Sequence, residues 1–174
     1  DALQLLEVMS EKLDYEQVNP VALAEPIAPH IAAAREGRRL EVSRLAGLCR
    51  GVMLGGADLV LVEGAGGWRV PLGPRETLAD LAVQLQVQVI LVVAMRLGCI
   101  NHALLTAEAV RRDGLQLAGW VANQPAEQMS CQAENLDTLR QRLPAPCLGE
   151  VPRLDPWNPH KAASFIDISA IIGK

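Results

Sequence analysis

Lysine is scarce in this chain. Only Lys12, Lys161 and Lys174 occur among 174 residues, so any chemistry that needs a phosphate-binding lysine has few candidates. The four cysteines, Cys49, Cys99, Cys131 and Cys147, form no CxxC pair and have no histidine nearby at zinc-site spacing. They read as reduced thiols of a cytoplasmic protein. Basic residues are outnumbered 16 to 20 by acidic ones, giving a formal charge of −4. They are scattered except for Arg35, Arg38 and Arg39, where a nucleic-acid partner would need a basic stripe or face. Arg38 and Arg39 read as solvating a surface. The most apolar stretch, Val87 to Met95, is about half the ~20 residues a membrane helix needs, so no membrane association is expected. No signal peptide, internal repeat, low-complexity tract or linker is visible. The expectation is a single α/β domain over residues 1–174, long enough to bury roughly 70% of the surface its unfolded form exposes.

Four short runs rich in Val, Leu and Ile stand out instead: Leu59 to Val62, Val87 to Ala94, Leu117 to Ala122 and Cys147 to Val151. They do not alternate with polar residues, and so predict strands buried on both faces. Helical spacing covers Ala2 to Met9, Ile31 to Glu36, Ser43 to Met53, Thr77 to Leu85, Asn101 to Arg112 and Ala126 to Leu143. Gly114 supplies a stop for the fifth of these and Pro144 for the last. Alternating strands and helices imply a parallel β-sheet flanked by helices. The first residues, DALQLLEVM, read as a helix already under way, so further residues are expected upstream.

The stretch DLVLVEGAGGW, residues 58 to 68, places Glu63 at the end of an apolar run and follows it with three glycines. Ligands of open parallel sheets sit outside the carboxyl ends of the strands. An acid there suits a Mg²⁺ ion, which takes one or two carboxylates beside substrate phosphates. Gly64, Gly66 and Gly67 let backbone approach a ligand closely. The same residues equally fit a solvated strand end followed by a turn.

Five blocks, VEGAGGW, LGCINHALLTA, LAGWVAN, PAPCLGEVP and VNPVALAEPIAPHIAAAREGR, resemble dethiobiotin synthetase in order and spacing from Asp1 to about Pro152. The resemblance implies a P-loop NTPase-like, Rossmann-like three-layer fold. It also implies an ATP- and Mg²⁺-dependent ligase of biotin synthesis. Such an enzyme closes a ureido ring on 7,8-diaminopelargonic acid with CO₂, through a carbamate and a carbamic-phosphoric anhydride.

Residue by residue, the resemblance makes Asp1 and Glu63 metal-ligating acids, although an Asp opening a helix is also an ordinary N-cap. Gly64, Ala65 and Gly66 would lie along the phosphates and Gly67 beside the carbamate. Asn123 and Gln124 would meet the adenine edge, and Pro152, Arg153 and Leu154 would cover the base. Cys99, Ile100 and Asn101 would hold the carboxylate tail of diaminopelargonate across a homodimer interface. His102 reads as structural, and Pro26, Pro29 and His30 as shaping a loop.

The chain departs from the family pattern in two places. No GxxxxGK[ST] phosphate loop is present, so the family's first βα unit and its active-site lysines are missing from this sequence. A polypeptide truly beginning at Asp1 would be expected to give no turnover. Near LDPWNPH, His160 stands where the family often has a nucleotide-contacting glutamate. Two alternatives stay open: another P-loop enzyme, such as a cobyrinate amidating enzyme or a partitioning-type ATPase, and a non-catalytic remnant that dimerises without ATP turnover.

Overall fold

A run of Val, Ile and Leu becomes a strand only where neighbouring backbone can pair with it. The computed structural model describes residues 1–172, which fall into two compact units, one spanning Asp1–Gln86 and the other beginning at Val87.

In the first unit the described elements are helical: α1 (Ala2–Val8), α2 (Tyr15–Val18), α3 (Pro29–Arg35), α4 (Val42–Met53) and α5 (Leu78–Leu85). Pro29 opens α3, where its missing N–H costs nothing. Thr77 caps α5, with its backbone N–H and its hydroxyl each donating to Asp80 Oδ2 at 2.7 Å. The core of this unit joins α4 to α5. Val42, Ala46, Leu72 and Leu81 are buried, with Leu40, Leu45, Leu78 and Leu85 packed against them. Leu78, Leu81 and Leu85 recur at helical spacing and so share one face.

The run Leu59 to Val62 is not a strand. Residues 58–63 carry no ladder or bridge among the described residues, and Leu61 is 73% exposed. Apolar composition had pointed to burial, but no edge pairs with this backbone. Arg38 also departs from its expected role as a surface solvator: it donates to the Ala22 carbonyl at 2.7 Å and to Glu36 at 3.1 Å. Glu36 in turn accepts the Ala24 N–H at 2.8 Å. These bonds tie the proline-rich loop to the end of α3.

The second unit is a parallel α/β layer structure: β1 (Val89–Ala94), α6 (Cys99–Arg112), β2 (Leu117–Asn123), α7 (Gln132–Arg142), β3 (Cys147–Val151), α8 (Pro159–Ala163) and α9 (Ser169–Ile172). The strands lie in the order β1-β2-β3, all parallel, with Ala122 opposite both Val93 and Glu150. On one face Val93, Trp120 and Ala122 pack with Ala103 and Ala107 of α6 and Leu136 and Leu139 of α7. On the other, Val121, Leu148 and Val151 pack with Ala162 of α8 and Ile171 of α9.

Gly114 ends α6 as expected. At φ +83° it lets its own N–H reach the Arg111 carbonyl and that of Leu115 reach Val110, both at 3.1 Å. Helix α7 begins at Gln132 rather than Ala126, because Cys131 sits at its N-cap with φ +54° and interrupts the helical backbone. The sequence also hid α2, α8 and α9, which are too short to show a period.

Gly149 is set by a close approach. A Cβ there would stand 2.0 Å from the Phe165 carbonyl oxygen, where the chain bridges back onto β3. Gly149→Ala is therefore expected to destabilise the protein by at least the ~1–3 kcal/mol typical of overpacking, measured by urea denaturation.

Hydrogen bonds from the Ala24 N–H and from Arg38 hold the Glu36 carboxyl below its ordinary range. A lowered folded-state value contributes stability that is present above the unfolded value and lost as pH falls through the folded one. Glu36→Gln should therefore lower the melting temperature at pH 7, and the difference should shrink as the pH is lowered through the acid range, as followed by circular dichroism.

Candidate active site

Beginning with the glycine segment in the first unit, Glu63 is exposed, and its carboxylate has no hydrogen-bond or ion-pair partner among the described residues. The following turn is closed by the Val70 N–H donating to the Gly67 carbonyl at 3.2 Å. Gly66, at φ +87°, adopts a backbone that side chains rarely tolerate, and an added Cβ would lie 3.0 Å from Val70 Cγ2. The segment after it is anchored to the start of α5. The Leu78 N–H donates to Val70 and the Ala79 N–H to Trp68, both at 3.0 Å. Gly64, Ala65 and Gly67 are exposed beside Glu63, so an exposed carboxylate adjoins a turn fixed at its far end.

Asp1 stands at the N-cap of α1, but its side chain makes no capping bond. Only its backbone carbonyl is engaged, accepting the Leu5 N–H at 3.0 Å. Its carboxylate is exposed and uncommitted to the helix. Among the described residues no three His, Cys, Asp or Glu side chains converge as a metal site. A metal held by one or two carboxylates would need its other ligands from phosphate and water.

In the second unit the strand ends converge. The Met95 N–H donates to the Asn123 carbonyl at 2.8 Å and the Gln124 N–H to Val151 at 2.9 Å, extending the ladder past the ends of β1 and β2. Asn123 is half-buried, and its side-chain amide makes no hydrogen bond among the described residues. Beside it lies a cavity of about 200 Å³, lined by Gln124, Gln132, Glu150 and the apolar Met95, Pro152 and Phe165.

Pro152 is the one expected base-covering residue in that wall among the described residues. Leu154 packs into the cluster of Val121, Leu148 and Ala162, and Arg153 is exposed. His160 is exposed on α8, where Asn158 caps the helix by accepting the Lys161 N–H at 2.9 Å. Sequence reasoning missed Gln132, Glu150 and Phe165 as cavity walls. The polar Gln132 at the start of an amphipathic helix gave no signal of its own.

Helix α6 opens at Cys99, whose side chain is buried in the core and whose N–H bonds the Arg96 carbonyl at 3.0 Å. Cys99 thus serves as a packing anchor. The next two N–H groups, of Ile100 and Asn101, have no partner among the described residues, as first-turn donors ordinarily lack one. Ile100 packs on the core while Asn101 is exposed. Leu97, just ahead of this turn, is 96% exposed.

A cavity at parallel strand ends and a helix start with free N–H groups are each features that suit an anionic nucleotide or an anionic substrate. The family model described as an AAA domain matches residues 2–161. The ATP-dependent dethiobiotin synthetase BioD of Cellvibrio japonicus is 57% identical over 172 residues, covering 99% of this chain and 75% of that protein. The enzyme of the same name from Pseudomonas aeruginosa is 58% identical over 168 residues, 97% of this chain and 74% of its own length. One from Escherichia coli is 51% identical over 164 residues, 94% of this chain and 72% of its own. The chain belongs to the dethiobiotin synthetase family.

Membership places the chain among ATP-dependent ligases. No described helix is long and apolar enough to cross a membrane.

The glycine turn gives the first check on this site. Gly66→Ala would force a left-handed backbone on a residue with a Cβ, costing about 1–2 kcal/mol. Thermal melts should show that loss for Gly66→Ala, with no comparable loss for Ala65→Ser next to it.

Proposed function

We propose that this chain carries out the ATP-dependent dethiobiotin synthetase reaction, closing a ureido ring on 7,8-diaminopelargonate with CO₂. The identity of 57% over 172 residues to a protein of that name carries the reading. In the reaction one substrate amine takes up CO₂ and loses a proton, giving a carbamate. A carbamate oxygen attacks the γ-phosphorus of ATP and ADP leaves. The second amine then attacks the carbamoyl carbon, closing the ring and releasing phosphate.

Such a path asks the protein mainly for positioning and for neutralising charge. Glu63 and Asp1 would hold Mg²⁺, which when bound lowers the cost of bringing negative oxygens together on the phosphates. Their exposed, uncommitted carboxylates fit that role. Gly64, Ala65 and Gly66 let backbone lie along the phosphates without side-chain obstruction, and Gly67 does so beside the carbamate.

Asn123 offers an unengaged amide to the base edge, with Gln124 and Pro152 in the wall of the adjoining cavity. In this reading Arg153 lies over the mouth of the base site, and Leu154 supports it from the core. The free N–H groups of Ile100 and Asn101 suit the carboxylate tail of diaminopelargonate, with Cys99 fixing the turn that presents them. Nearly full exposure of Leu97 beside that turn supports a homodimer in which this loop serves the partner subunit's substrate. A cytoplasmic location fits four free cysteines.

In the purified protein, ADP release measured by a coupled assay is expected only when diaminopelargonate and bicarbonate are both supplied with ATP and Mg²⁺. ADP release that ignores diaminopelargonate would point to a different acceptor. Glu63→Gln should cut kcat by about 100-fold or more while leaving the melting temperature unchanged, the scale seen when a stabiliser of transition-state charge is removed.

A further inference from the structure

Gln124 and Gln132 meet in the wall of the cavity at the carboxyl ends of β2 and β3, and they supply its only uncharged polar side chains among the described residues. Gln132 Nε2 faces Gln124 Oε1 at 3.4 Å, a contact longer than the usual N–H···O range and so a weak one. Gln132 Oε1 is enclosed by protein and has no donor. An enclosed acceptor without a partner is costly, so this amide gains by turning toward any donor that enters the cavity. Glu150, the one charged wall, already has its carboxylate engaged by Arg140. Met95, Pro152 and Phe165 complete the lining with apolar surface, which suits a flat ring system.

The geometry points to Gln132 as a specificity-determining residue that accepts a hydrogen bond from the exocyclic amine of a purine base, its own amide oriented by Gln124. This inference rests on the ATP-dependent reading above. An aminopurine supplies the donor that Gln132 Oε1 lacks. An oxopurine places an acceptor there and leaves two oxygens facing, unless both amides rotate. A site built to pair with a ligand group discriminates against analogues that lack it. Position along the chain favours this role as well, because Gln132 is the first residue of α7, with its backbone fixed by the helix and its side chain at the cavity.

The test is calorimetric titration of ADP and of inosine diphosphate, which lacks the amine, into the purified protein and two variants. The unmodified protein is expected to bind ADP roughly tenfold more tightly than inosine diphosphate. Gln132→Leu should weaken ADP roughly tenfold and leave inosine diphosphate unchanged, removing the preference, while the KM for diaminopelargonate stays put. Gln132→Glu keeps the acceptor, toward which the Gln124 amide can turn its N–H₂ end, and should keep the preference, which covers the case in which the leucine variant fails to fold. Equal weakening of both nucleotides in Gln132→Leu, an unchanged preference, or loss of preference in a folded Gln132→Glu would overturn the assignment of Gln132. If the unmodified protein turns over ATP but shows no base preference, only this inference fails. If it neither binds nor turns over either nucleotide, the ATP-dependent reading fails with it.

Discussion

Pairing of β2 on both edges is the constraint on which the second unit depends. A buried strand must satisfy its N–H and C=O groups, and β2 does so against β1 on one side and β3 on the other. Trp120 at its centre is fully buried and gathers Ala103 and Ala107 of α6 and Leu136 and Leu139 of α7 onto one face. Because the ladder continues through the Met95 and Gln124 N–H groups, the carboxyl ends of the three strands stop at nearly one level. That common edge forms the floor of the cavity.

The groups proposed to meet ligands share a second property: the fold has not used them up. Glu63 and Asp1 keep free carboxylates, Asn123 keeps a free amide, and Ile100 and Asn101 keep free N–H groups among the described residues. Three other acids are spent on the fold itself. Asp80 caps α5, Glu36 holds the loop at Ala24, and Glu150 engages Arg140.

Cys99 illustrates how the two demands divide one short segment. Its thiol is buried among core residues, which fixes where α6 begins. The donors at Ile100 and Asn101 then point from a rigid helix end rather than from a loop. Leu154 shows the same division on the opposite face of the sheet, where it anchors the segment that carries Pro152 and Arg153.

Much of this was legible in the sequence where the physics is local. Gly114 as a helix stop, Thr77 to Leu85 as a helix, and Cys147–Val151 as a strand each depend on residues a few positions apart. The family was legible because its blocks are long and ordered. What the sequence could not decide was pairing across distance. Leu59 to Val62 has the composition of a strand and no partner, and Arg38 has the look of a surface charge yet binds Ala22. Gln132 reached the cavity only because α7 starts where Cys131 turns left-handed. Local propensity and order along the chain settled the elements and the kinship. Which backbone edges meet, and which polar groups are left over when they do, was settled by tertiary structure, because hydrogen bonding is satisfied over the whole fold at once.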